Sequence, residues 1–216
     1  MARPQSGPPL IAPGLAFAVL SVAGVVIGAG APRPTSTAAE VLAYANSHAA
    51  EMRWGAFLAF GAAVPLAIWS ATVYRRLRAW GVTAPGSAIA LVGGVLAAAM
   101  ACLSGLFVWV ASRVDGDAPL AAALRDVTFI TGGPGFVAFF GLLLAGVSVP
   151  MLVLGISRPL AIFGLVIAAF AEVSTLVVVT MGVAFTLPVG RFGGLIWLVA
   201  ASLLLPLSRP RTAVPA

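Results

Sequence analysis

The sequence predicts an all-α fold, a polytopic transmembrane helix bundle of six spans with both termini cytoplasmic. Three observations predict it. Of 216 residues, 61% are Ala, Val, Ile, Leu, Met, Phe, Trp, Tyr or Cys and a further 24 are Gly, against about 45–50% apolar residues, Gly included, in ordinary soluble domains. Only 8% are charged and mean hydropathy is +1.10, so a polar coat cannot cover a core of this size and lipid must solvate most of the surface. The apolar residues fall into six runs at 10–30, 54–74, 87–112, 128–151, 159–186 and 190–208, each near the ~20 residues that cross about 30 Å of hydrocarbon.

The connections 31–53, 75–86, 113–127, 152–158 and 187–189 are too short to hold a soluble core, so residues 1–216 read as one membrane domain. The first run follows Arg3 and ends in Ala29, Gly30 and Ala31, which imitates a secretory signal peptide. It is longer than a signal-peptide core, and Gly24 and Gly28 offer a small-xxx-small contact, so it reads as an uncleaved first helix. Pro65 in the second run reads as a simple kink.

Six spans place both termini on one side. Loops on that side carry Arg3, Arg75, Arg76, Arg78, Arg158, Arg209 and Arg211 without a carboxylate; the others carry Arg33, Arg53, Arg113, Arg125 and Arg191 against Glu40, Glu51, Asp115, Asp117 and Asp126. The positive-inside rule makes the first side cytoplasmic. Trp54 and Trp109 then sit at outer boundaries and Tyr74 and Trp80 at the inner one, as amphipathic rings prefer.

In the loop 31–53, Thr37-Ala38-Ala39-Glu40 has capping-box spacing. Val41, Tyr44, Ala45, His48 and Met52 follow at helical spacing, which predicts a surface helix over 38–50 on the outer face. His48, the single histidine, could ligate a metal with Glu51, but an exposed polar residue on an interfacial helix is the commoner case. Asp115-Gly116-Asp117 lacks the later ligands of a calcium loop and reads as a turn.

Thr131-Gly132-Gly133-Pro134-Gly135 interrupts the fourth span, and such a break needs protein or a water-filled cavity to satisfy its backbone. A kink or close helix packing competes with a mouth or ligand site there. Glu172 is the one ionisable group well inside a predicted span. Ala161, Leu165, Ala168, Ala169, Glu172, Thr175 and Val179 form a small, partly polar stripe, which predicts that Glu172 faces the bundle. A charge at mid-bilayer costs on the order of 2.5–3.5 kcal/mol, and no cation is expected at that depth. A neutral carboxyl bonded to Ser104 or Thr175 is therefore expected. The candidate binding residues are Glu172, Thr175, Ser104, Gly132, Gly133 and Pro134.

Several classes fall away. Twelve dispersed Arg and no Lys make no basic face for nucleic acid. One His cannot give bis-histidine haem, and one Cys, Cys102, cannot give a dithiol relay. No zinc-protease, serine-nucleophile, P-loop or dinucleotide motif occurs. No catalytic residue, metal or cofactor is expected.

The chain resembles uncharacterised actinobacterial six-helix integral membrane proteins in Val41 to Leu58 (VLAYANSHAAEMRWGAFL), in the Arg75 to Arg78 exit (RRLR) and in Leu187-Pro188-Val189-Gly190-Arg191-Phe192-Gly193-Gly194-Leu195-Ile196-Trp197-Leu198-Val199-Ala200. The resemblance implies the topology alone and carries no activity; the Arg-only, Ala/Gly-rich composition looks like that of a high-GC bacterium, and a bacterial inner-membrane location is expected. Two readings lead, and an enzyme comes third. One is a proton- or solute-binding transport module using Glu172. The other is a structural or partner-binding subunit, in which Glu172 is neutral hydrogen-bond glue and the contacts are lipid and a homo-oligomer or membrane-protein partner.

Overall fold

The computed structural model describes residues 9–205, and among these it contains helices and no strand. The α-helices in order are α1 (Ile11–Ile27), α2 (Ala38–Ser47), α3 (Ala49–Ala79), α4 (Gly86–Ala111), α5 (Ala118–Ile130), α6 (Phe136–Val153), α7 (Arg158–Val173) and α8 (Thr186–Leu204). Five stretches are long and apolar enough to cross a membrane: α3, α4, Ala118–Val153, Arg158–Val178 and Met181–Leu204; α1 is shorter.

Two ends of the bundle are defined by what meets there. Gly14 near the start of α1 packs on Ser202 near the end of α8. Trp69 Nε1 donates to Ser202 Oγ at 2.8 Å, and Arg76 Nη1 donates to the Leu205 carbonyl at 3.2 Å. The start of α4 joins them through Gly86 against Pro150 of α6. This is the Arg75 end. The opposite end, the α2 end, gathers the last turn of α1, α2, and the start of α3.

Local chemistry sets most boundaries. The Glu40 N–H donates to Thr37 Oγ1 and the Thr37 N–H to Glu40 Oε2 at 2.8 Å, so the expected capping box starts α2. Leu120 N–H donates to Asp117 Oδ1 at 2.9 Å, Pro119 stands in the first turn, and Gly116 takes φ +71. Asp115-Gly116-Asp117 is thus a turn and helix cap. For this reason α5 starts at Ala118, well before the expected 128, and most of the loop expected at 113–127 is helical. Helix α3 ends at Ala79, and Gly81 just beyond it takes φ +86 and lets Val82 N–H reach back to the Leu77 carbonyl. The same helix starts one residue after α2, with His48 as the only joint. It therefore exceeds the expected 54–74 at both ends. Trp80, expected at an interface, is buried in the core.

The largest departure is near the α2 end of α7. A span over 159–186 is expected, but the α-helix ends at Val173 and continues as 3₁₀ turns at Ser174–Val178 and Met181–Val183. Ser174 Oγ donates to the Ala171 carbonyl at 2.6 Å and Thr175 Oγ1 to the Glu172 carbonyl at 2.7 Å. These bonds compete with the regular ladder, and a β-branched run from Val177 to Val179 follows. The chain consequently turns before Thr186, not at 187–189, and Arg191 lies inside α8.

Candidate functional site

In the α2 half, α1, α3, α4, α5 and α8 surround a cavity of about 590 Å³. Its walls recede because they are built of small residues, among them Gly24, Gly55, Ala59, Ala101 and Ala121. Phe17 and Phe136 close the floor. Both pack on Phe140, Phe17 edge-on at 5.7 Å between ring centres and Phe136 stacked at 5.3 Å. The roof is α2, which turns Val41, Tyr44 and Ala45 inward.

The roof is fastened at two places. Arg125 of α5 donates from Nη1 to the Ser36 carbonyl at 2.6 Å and pairs with Asp126 at 2.9 Å. At the joint to α3, the rings of Tyr44 and His48 stack at 4.4 Å, while Ser47 Oγ lies 2.8 Å from His48 Nδ1. Burial, and after it the Glu51 carboxylate, hold the Tyr44 phenol above its ordinary pKa. Among the described residues no group of three or more His, Cys, Asp and Glu side chains gathers around a common point. His48 serves this joint.

The charged group at the chamber floor is Arg191. Its guanidinium lies 5.0 Å from the centre of the Phe136 ring, and Nη2 donates to the Gly132 carbonyl. That carbonyl belongs to the interruption between α5 and α6, where Thr131–Gly135 form a π-helical turn and Gly133 leaves helical geometry at φ −86, ψ −105. Pro134 has no N–H to give, so the ladder is opened here and a side-chain donor takes part in satisfying it. Gly132 lies against Ser104, whose Oγ donates to the Thr128 carbonyl at 3.3 Å. Thr128 also lines the chamber, and its own hydroxyl is buried without a partner among the described residues.

Glu172 lies elsewhere. It is exposed on the outer surface of α7, at a groove of about 370 Å³ that includes Pro134, Gly135, Phe139 and Thr175. The expectation that it faces the bundle is wrong, and the reason is packing. The buried face of α7 is Ala161, Gly164, Ala168, Ala171 and Ser174. Gly164 fits against Ser148 and Trp197, and Ala171 against Gly141 and Gly190. The next position, 172, is turned about 100° away from that face. A cation does lie level with that face: Arg191, counted with the connections, stands in the second turn of α8. Ala171 touches Gly190, and the next residue of each helix goes its own way, Glu172 to the groove and Arg191 to the chamber. Among the described residues the two form no ion pair.

No protein-family model, curated protein or solved structure matches the chain.

The six candidate binding residues therefore divide. Ser104, Gly132 and Gly133 line the chamber; Glu172, Thr175 and Pro134 line the groove, and the broken turn separates the two. Sequence reasoning missed Arg191, Thr128 and Tyr44 as chamber residues. A signal for Arg191 existed in Thr186-Leu187-Pro188, since Pro in a first helical turn marks a helix that is starting.

Proposed function

We propose that the chain is a six-span protein of the bacterial inner membrane, with both termini cytoplasmic, that binds an apolar solute in the chamber. The observation that carries this reading is the chamber itself: a roofed, largely apolar space within the ~300–1,000 Å³ range of small-molecule sites. The topology is supported by charge. Arg75, Arg76, Arg78 and Arg158 gather at one end with both ends of the described chain. The α2 end carries Arg33, Arg53, Arg113 and Arg125 against Glu40, Glu51, Asp115, Asp117 and Asp126, in its connections, in α2 and in the nearest turns of α3 and α5. That asymmetry supports a cytoplasmic Arg75 end.

A second reading, a subunit that binds a membrane partner, is favoured by Glu172, a carboxyl presented from an apolar outer face where a partner's donor could satisfy it. One experiment separates the two. The full chain in phosphatidylcholine nanodiscs is photolabelled with a neutral diazirine-bearing dodecanol, and the labelled residues are mapped. Solute binding predicts label within 20–28 and 101–108, lost in Ala101→Trp, which fills the chamber. Label confined to lipid-facing Val19, Val92 and Ile196, unchanged by Ala101→Trp, would remove the reading. A stoichiometric membrane partner whose co-purification depends on Glu172 would then favour the subunit.

A further inference from the structure

We propose that the chamber's ligand is an amphiphilic monoanion, an oxyanion such as a carboxylate on an apolar body, with its acid group held by Arg191. The inference rests on the chamber being a binding site and assigns the chemical class that it takes.

Charge accounting within the chamber leads there. Four charged or titratable side chains line it: Tyr44, Glu51, Arg125 and Arg191. Arg125 is occupied by Asp126 and by the Ser36 carbonyl. Tyr44 is held neutral under the roof, and Glu51 stands beside it in the first turn of α3. Arg191 remains, deep at the aromatic floor and without a carboxylate partner among the described residues. A guanidinium has five N–H donors in a planar fork. The Gly132 carbonyl engages it through Nη2, and the face over Phe136 lies against an aromatic ring. A neutral carbonyl and a ring quadrupole do not cancel a full charge in an apolar space, and a buried charge is costly until paired. One negative charge balances Arg191 at the floor, since the Glu51 carboxylate is exposed in the first turn of α3. Guanidinium also matches planar oxyanions through paired hydrogen bonds.

The remaining surface describes the rest of the ligand. From Phe17 at the floor to Gly28 under the roof the chamber follows eleven residue steps along α1 and its C-cap, about 16 Å at ~1.5 Å per residue. Along that length the wall is chiefly Phe, Leu, Val, Ala and Gly, with Ser21 and Ser104 as small polar points. Thr128, with its unpartnered hydroxyl, stands one helical turn from Gly132 on the same wall. An apolar body therefore fits above the acid group, and a strongly polar body does not.

The test compares two photoprobes of one shape in the same nanodiscs at pH 8, diazirine-bearing dodecanoate and the matching dodecanol. The wild-type chain is expected to take the acid about ten-fold or more tighter than the alcohol, the gain from one charge-assisted pair. Arg191→Gln keeps an N–H for the Gly132 carbonyl and should bring acid and alcohol level, while Arg191→Lys retains a preference for the acid. Should Arg191→Gln fail to fold, the acid-to-alcohol ratio in the wild type and in Arg191→Lys decides. Equal affinity of the wild type for both probes, or an undiminished acid preference in Arg191→Gln, overturns the monoanion and leaves the chamber standing. Absence of label by either probe within 20–28 and 101–108 overturns the chamber itself.

Discussion

Small residues have opposite consequences at two places in this bundle, the α4–α6 contact toward the Arg75 end and the α1–α3 wall of the chamber. At the first, a Cβ placed on Gly93 of α4 would lie 2.5 Å from the Leu143 backbone nitrogen, and Gly146 meets α4 just as closely at Ala90. At the second, a Cβ on Gly24 would lie 3.6 Å from Leu58 Cβ, and one on Gly55 would lie 4.0 Å from Ile27. The first pair lets backbones touch, and the second leaves volume. What differs is the neighbourhood. Trp69, Trp197 and Met151 fill the Arg75 half with buried bulk, whereas the Phe17–Phe136 floor, Arg191 and the broken turn hold the helices of the α2 half apart. A stretch rich in Gly and Ala is thus neither a contact nor a cavity until its large neighbours are placed.

The sharpest way to break this comparison is one added methyl at each place. Gly93→Ala must displace backbone and is expected to cost about 1–3 kcal/mol of stability, seen as a lower thermal midpoint in detergent. Gly24→Ala makes an ordinary contact and should stay within about 0.5 kcal/mol of the wild type. Equal losses would show that both places are packed alike.

A smaller effect is expected from Arg125→Ala, which removes the fastening of the roof loop to α5. Losing this charged hydrogen bond should cost about 1 kcal/mol locally, read as about five-fold faster hydrogen exchange at 35–47. Protection in α4 and α6 should not change. A uniform loss across the bundle would show that the roof is part of the core.

The smallest concerns Tyr44. Its pKa is raised above the ordinary 10.0, so the folded protein holds this proton more tightly than the unfolded chain does. Its contribution is complete below pH 10 and is lost as pH rises through the raised value. A fluorophore at position 46 should report the roof loosening in alkali in the wild type, and Tyr44→Phe should remove that response. An identical alkaline response in both would place its cause elsewhere.

What could be read in the sequence was local chemistry. Thr37 with Glu40 needs only neighbours along the chain and stands as expected, whereas Arg75, Arg76 and Arg78, expected in a connection, lie in the last turns of α3. Phase around a helix was less legible. The stripe through Glu172 and the true face through Gly164 and Ala171 differ by one residue, and only the partners Ser148, Trp197 and Gly190 decide between them. The chamber was beyond reach for the same reason: Arg191, at the edge of the run 190–208, counted as a loop charge, and only the start of α8 at Thr186 sets it within a helix. Of the candidate site, the broken turn and Ser104 were legible, and the cation beside them was not.

The 3₁₀ turn that ends α7 also bears on how this flank meets a bilayer. The α-helical part has 16 residues, about 24 Å at ~1.5 Å per residue and short of the ~30 Å hydrocarbon core. The five residues Ser174–Val178 rise ~2.0 Å each in 3₁₀ form and bring the flank to about 34 Å. Wound as α-helix throughout, the same 21 residues would span about 31.5 Å, so the tighter turn lengthens this flank by only about 2.5 Å. Because mismatch costs only fractions of a kcal/mol per Å, a thinner bilayer can be met by rewinding this turn, which makes the α7 flank the compliant edge of the molecule.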